Sequence, residues 1–370
     1  MRFRLSGPWL FLGCGFLLCA ACASAISQDG EDYFPVRENG KIGFMDKTGR
    51  IVISPQFDST LIEDGVIFSE GLSAVYVGDK WGYIDKTGKL VIPPKFKQTF
   101  APSLFHEGLA QVEIQEGTSS FIDKTGELVK ALKFIEQRTV FSEGLARVTK
   151  GDKVGYVDKM GRFVIEARFD EAEDFKEGLA AVKVAVKVDD TVESKFGFID
   201  KTGRMVIEPQ FSEARSFSEG LAAVTIYSMD PKGYGYIDKT GKVVIAQQFD
   251  DAHSFSDGLA KIVMRGEKFI DKAGFIDKSG KFVIALQFEQ RPGGSSLNYR
   301  GFRDGLAAVE VNNKTGYIDK TGKMVIAASY DYGSEFHGGI AQVTTGLEAQ
   351  TQKSYYIDKT GKVIREQNPR

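Results

Sequence analysis

The sequence predicts an all-β protein: a tandem repeat array of about nine three-stranded β-meander units. Three observations carry this. An Asp-Lys-Thr-Gly element, clearest in Gly82-Tyr83-Ile84-Asp85-Lys86-Thr87-Gly88-Lys89, returns with its Asp at positions 46, 85, 123, 158, 200, 238, 277, 319 and 358, at steps of 35 to 42 residues. A fixed period of that size marks a repeat architecture. Within each period, short runs of β-branched and aromatic residues alternate with Gly- and Asp-rich turns, the signature of strands. No segment has both the length and the 3.6-residue period of a helix.

The first twenty-five residues differ in kind. Arg2 and Arg4 precede an apolar run from Pro8 to Ala21, and Ala23-Ser24-Ala25 offers a small-x-small cleavage pattern. Residues 1–25 therefore read as an export signal, because the apolar run is too short for a membrane span. Cys14, Cys19 and Cys22 all lie inside it, so the remaining chain has no disulfide framework. Leu17-Leu18-Cys19-Ala20-Ala21-Cys22 is similar to a bacterial lipoprotein signal, with Cys22 as the candidate lipidation site. Cleavage after Ala25 and acylation of Cys22 are alternative readings; the second would tether the protein without a spanning helix. The expected localisation is the periplasm or cell envelope. Residues 26–32 form a short polar linker, 33–366 the repeat domain and 367–370 a tail.

Unit 2 shows the pattern of a full repeat. Leu72 to Val77 is the first strand, Trp81 to Asp85 the middle strand and Lys89 to Ile92 the third. Asp at the start of the intervening turn can accept backbone N–H bonds, and Gly at its fourth position can take positive φ, which predicts a type I turn with a glycine bulge. In every middle strand the residue before the Asp is aliphatic or Met (Ile84, Val157) and the one before that is aromatic (Tyr83, Phe121). Strand neighbours face opposite ways, so one sheet face is aliphatic, the other aromatic, and both are covered. Two further phenylalanine slots recur in the linking segments, as at Phe96 and Phe105. A segment such as Phe169 to Asp174 could hold a short helical turn.

These residues carry a family resemblance. From about Tyr33 to Glu366 the chain resembles bacterial WG-repeat, or KWG-repeat, proteins. The Trp of that motif stands only at Trp81, while the Gly that follows it is kept at positions 43, 82, 155, 197, 235, 274 and 316 but replaced by Ser120 and Tyr355. The resemblance implies an all-β repeat fold and no established activity. Both the first unit and the last contain three strands, so no half units wait at the ends to be joined. That favours an open, curved or superhelical array over the alternative, a β-propeller-like ring.

Chemistry is sparse. Asp-Lys-Thr-Gly matches the phosphorylated-aspartate motif of ion pumps, but nine copies make it a structural turn. The acid of the recurring Phe-Ser-Glu-Gly-Leu-Ala element, as at Glu143, is spread once per unit and reads as a partner for backbone or Lys. Three separated histidines, His106, His253 and His337, give neither a metal site nor a catalytic dyad. No catalytic residue, metal ligand or cofactor site is assigned. A net charge of -2 gives no electrostatic case for nucleic acid.

What varies is the hairpin between first and middle strands. It is short at 78–80 and 151–153 but long at 115–120, 188–195, 228–233, 265–273 and 345–354. Such loops project from one edge of a repeat array, often the binding edge. A separate long segment, Glu289 to Gly301, contains Tyr299 and Arg300, candidate partner-binding residues of types common at hot spots. The expectation is an exported, non-enzymatic protein that offers an extended surface to protein partners, with membrane contact only through an N-terminal lipid. A carbohydrate-binding or carbohydrate-processing protein is the alternative, through stacking on the middle-strand rings if they are exposed. A structural envelope component without a specific ligand is the third reading.

Overall fold

The computed structural model describes residues 32–58, 67–97, 102–115, 118–134, 139–188, 190–226, 233–266, 271–290, 301–346 and 352–367. Within them the chain forms nine three-stranded antiparallel units and no helix. Each unit runs first, middle, third strand in sequence order. Units 5, 6, 7 and 9 add a two-residue strand outside the first, at Glu171–Ala172, Glu213–Ala214, Asp251–Ala252 and Tyr332–Gly333. Units 1 and 2 share one sheet through the pair Asp58 and Tyr76, so the described residues make eight hydrogen-bonded sheets.

The helical turn expected at Phe169 to Asp174 does not form. Phe169 ends a third strand and Glu171–Ala172 is itself a strand. Asp170 N donates to Lys183 O and Glu173 N to Ala181 O, so the ladder along the neighbouring first strand uses the amides a helix would need.

The Asp turn forms as its chemistry dictates. Asp85 Oδ1 accepts from Thr87 N at 2.9 Å, Thr87 Oγ1 at 2.6 Å and Lys89 N at 3.1 Å. These bonds hold the Asp85 carboxyl below the usual range, the Thr87 hydroxyl contributing most. Gly88 has φ +84, and a Cβ there would lie 2.9 Å from Ile53 Cγ2 of the preceding unit.

The middle-strand glycine has a different cause. Beside Gly82 the third strand bulges: Trp81 pairs with Phe96 and Tyr83 with Ile92, and Gly82 is skipped. A Cβ on Gly82 would meet Ile92 O at 2.6 Å and Pro94 N at 2.8 Å. Where the glycine is replaced, that residue pairs directly with the third strand, Ser120 with Lys133 and Tyr355 with Glu366.

Units stack face to face. The middle-strand aromatic of one unit meets the linking-segment phenylalanine of the next at 4.8 to 5.0 Å between ring centroids, from Phe44–Phe68 through Tyr317–Phe336. The aliphatic residue of the next middle strand packs in the same layer, as Ile199 does with Tyr156 and Phe175. Tyrosines in this slot also donate across the junction, Tyr83 to Ser103 O and Tyr236 to His253 O. The acid of the Glu-Gly turn completes the link. Glu143 accepts from Gly178 N of the next unit at 3.0 Å and pairs with Lys201 of that unit's Asp turn at 3.0 Å. Glu70, Glu107 and Glu177 repeat both contacts.

The array closes. Phe34, Val36 and Met45 of unit 1 form one buried cluster with Ile340 and Tyr356 of unit 9. Tyr356 OH donates to Pro35 O at 3.0 Å and Arg37 N to Gln367 Oε1 at 3.2 Å. Gly49 lies against Ile364 as Gly88 lies against Ile53. The fold is therefore the propeller-like ring, not the open array favoured from sequence. The seam joins two whole units by their faces, so closure needs no half unit at either terminus.

Candidate functional site

Unit-specific side chains occupy one slot that four of the nine units fill with alanine. This lies two residues after the Leu that follows the Glu-Gly or Asp-Gly turn, opposite the middle-strand aromatic: Ala74 pairs with Tyr83, Arg147 with Tyr156 and Lys261 with Phe275. It points at the next unit, beside the aromatic ring. Four units have Ala here (Ala74, Ala181, Ala223, Ala308) and unit 1 has Pro35, whereas Gln111, Arg147, Lys261 and the exposed Gln342 are polar.

Lys261 is the deepest of these, with 5% of its surface exposed. Burial pushes its amine down to about 8, against the opposing pull of Asp251, Glu310 and Glu335. Those acids come from units 7, 8 and 9, so one buried cation faces charges from three consecutive units. Glu310 is buried as well. Arg147 reaches into unit 5, where Nε donates to Asp174 Oδ1 at 2.7 Å and Nη1 to Ala172 O. Burial disfavours its charge, but Asp174 and Glu173 outweigh burial and raise its pKa. Burial pushes the neighbouring Glu173 carboxyl up against the pull of Arg147.

His106 is buried, and its Nε2 has no hydrogen-bond partner. Desolvation lowers its pKa, while Glu70 favours the charged form. Asp174 and Lys176 of unit 5 also act on this unit 3 histidine, and Glu335 of unit 9 acts on Lys261 of unit 7. Segments ahead of the first strands of non-adjacent units thus converge toward the middle of the ring. With Lys261 and Glu310 buried and Arg147 bonded to Asp174, the chemistry of this cluster is ionic cross-linking between units.

The hairpins between first and middle strands occupy the opposite end of each unit from the Asp turns, as a three-stranded meander requires. The expected loop at 188–195 is instead a ribbon. Strands Leu179–Val188 and Thr191–Asp200 pair over ten positions, against five in unit 4. Beyond Lys183 on one edge and Phe196 on the other the ribbon has no further strand partner among the described residues. Val192 at its tip is 73% exposed. Parts of the other long hairpins, at 116–117, 227–232, 267–270 and 347–351, lie outside the described residues, as do Tyr299, Arg300 and Cys22.

The middle-strand rings are buried, Tyr83 and Tyr156 at 1% and Tyr236 and Tyr317 at 0%, so they offer no surface for stacking on sugars. Among the described residues no group of three or more His, Cys, Asp or Glu is placed to hold a metal ion, and no helix is long and apolar enough to cross a membrane. Sequence reading missed Lys261, Arg147 and Glu310. The available signal for Lys261 and Arg147 was the replacement of Ala at one slot of the first strand; Glu310 lies two positions beyond that slot in its own unit.

A family model described as WG containing repeat matches residues 42–81, 81–117, 120–153, 155–185, 196–227, 234–267, 274–314 and 316–346. No curated protein matches the chain. Among solved structures the chain is similar to Kluyveromyces lactis Hsv2p, at 10% identity over 81% of this chain and 96% of that one, TM-score 0.40. It is similar to Saccharomyces cerevisiae Sqt1 at 11% identity over 70% and 82%, TM-score 0.39. A puromycin-hydrolyzing peptidase of Mycobacterium tuberculosis aligns at 12% identity over 90% of this chain and 53% of its own, TM-score 0.37. At these TM-scores the likenesses carry no argument.

Proposed function

The chain belongs to the WG-repeat family, and from that premise we propose an exported, non-enzymatic scaffold that presents an extended surface to protein partners at the cell envelope. The observation that carries this reading is the division of the molecule into a repeated end and a variable end. The Asp turns are near copies, whereas the hairpins at the opposite end differ in length from unit to unit. The ribbon of unit 5 is the best-described variable element. Its strands extend past their neighbours and leave backbone edges open to an added strand. Export rests on the character of residues 1–25, and a lipid anchor on Cys22.

Affinity capture from envelope fractions tests the scaffold reading. In the comparison variant, Ala185–Ser194 is replaced by Gly-Asp, the turn that unit 4 uses at Gly151-Asp152. The expected result is an unchanged melting temperature and loss of a partner that the wild type enriches. Identical enrichment by the two proteins removes the ribbon from the interaction surface. Fatty-acid labelling of wild type and Cys22→Ala tests the anchor; label that persists in the variant excludes acylation at Cys22.

A further inference from the structure

Exposed apolar side chains are not scattered on this ring. Twelve of the sixteen large hydrophobics exposed among the described residues sit in the Asp turn or in the first two positions of the strand after it. Leu90, Val91, Met160, Val243, Val283 and Val363 are examples, each at least 40% exposed. Single exposed apolar residues are ordinary, but a band repeated at one end of nearly every unit is a patch.

The same end carries a cationic layer. The residue after the turn glycine is Lys or Arg in eight of nine units, Glu127 being the exception, and all eight are exposed. Apart from the exposed Glu127, the acids of the Asp and Glu-Gly turns lie deeper. Asp46, Asp158 and Asp200 side chains are 19%, 20% and 25% exposed, whereas their partners Arg50, Arg162 and Arg204 are 76%, 71% and 78% exposed. Glu143 and Glu177 are similarly sunk at 29% and 31%, beneath Lys201 and Lys239. The outermost charge is therefore positive although the whole chain is slightly acidic.

Chain direction adds a third observation. Phe34 pairs with Met45, next to the turn that starts at Asp46. Asp32, the first described residue, therefore lies at this same end, beside His337 of unit 9.

We propose that this rim lies on an anionic phospholipid surface, with the Lys and Arg heads at the headgroup phosphates and the flanking Val, Leu and Phe side chains in the interface. Cation heads above apolar stems and neighbours are the arrangement that peripheral binding needs. A ring of like turns at one level presents a broad face suited to a bilayer, and self-stacking would oppose two cationic layers. The proposal deepens the envelope reading by giving the two ends separate tasks: the turns face the membrane and the hairpins face partners.

Co-sedimentation of the full chain carrying Cys22→Ala tests this, with vesicles of phosphatidylcholine alone or mixed with phosphatidylglycerol. Binding is expected to the mixed vesicles only, and to fall at least about tenfold when salt is raised to about 0.5 M. Lys242→Glu/Lys281→Glu/Lys323→Glu/Lys362→Glu should lose at least about tenfold in affinity, and Lys187→Glu on the opposite end should lose none. If the fourfold variant melts early, Lys242→Gln/Lys281→Gln with Val243→Ser/Val283→Ser replaces it, with the same expected direction. Equal binding by wild type and the rim variants assigns attachment to the leader and overturns the proposal. Absence of vesicle binding, with or without capture of an acidic protein by the rim, overturns it as well. Because only purified protein and lipid are used, either result leaves the ribbon's role in partner capture to its own test.

Discussion

Two glycines of unit 2 look alike in sequence and answer to different constraints. Gly88 needs a left-handed backbone against an isoleucine side chain that can shift, so Gly88→Ala should cost about 1 kcal/mol or somewhat more. Gly82 has no positive φ, but two backbone atoms occupy the space of its Cβ. Gly82→Ala should cost about 3 kcal/mol, at the upper end of overpacking penalties, and the order of the two variants can be read from paired urea melts. The turn function of Asp85 and Gly88 was legible because local chemistry decides it. The role of Lys261 was not, because only strand register shows which face a side chain joins. Lys261 also makes a pH prediction. Its folded pKa of about 8 lies below the ordinary lysine value of 10.5, so between those values the unfolded chain holds the extra proton. Wild type should therefore gain stability relative to Lys261→Met as pH rises through that window, by up to about 3 kcal/mol. The burial penalty is fully present below pH 8. A gap between the two melting temperatures that stays constant from pH 7 to 10 would refute the assignment.

At the scale of strands, the alternation of aliphatic and aromatic slots made the three-stranded unit and its covered faces readable from sequence. The linking segments misled, because their acidic and alanine residues suit a helical turn in isolation. Their amides are instead used by the neighbouring first strand, a tertiary contact that local propensity does not report. The same limit hid the ribbon of unit 5, whose polar residues resemble a loop until they are paired. Junctions between units can be tested at the tyrosine slot. Tyr83→Phe preserves the ring that units 3, 5 and 7 already use there, and removes only the bond to Ser103 O. The expected loss is about 1 kcal/mol in chemical denaturation; a loss near zero would mean that the hydroxyl does not link units 2 and 3.

For the whole molecule, closure decides how the two terminal units behave. In an open array Tyr356 would belong to a half-supported end unit, whereas here it packs on Phe34 and bonds Pro35 O. Tyr356→Ala should therefore cost about as much as Tyr236→Ala within the ring, about 3–5 kcal/mol, compared by denaturant titration. Circular permutation offers a second check. A chain that joins Gln367 to Asp32 through a flexible linker of about ten to fifteen residues, enough to run back along one strand, and opens between Gly151 and Asp152 should fold with a similar melting temperature, since the new break falls at a short exposed turn. Sequence alone concealed the ring because closure by face packing leaves no mark at the termini. The contacts of the seam belong to the same slots as the contacts of every other junction.

That equivalence bears on how such a molecule can change over generations. In an open stack, duplicating one repeat simply lengthens the protein. In a closed circle a tenth unit would have to be admitted by slightly reshaping all the existing junctions at once, and a lost unit would leave the same mismatch. Variation is therefore steered away from copy number and into the hairpins, where insertions meet no neighbour. The lineage of this protein should diversify by altering what the circle displays while its membership stays fixed.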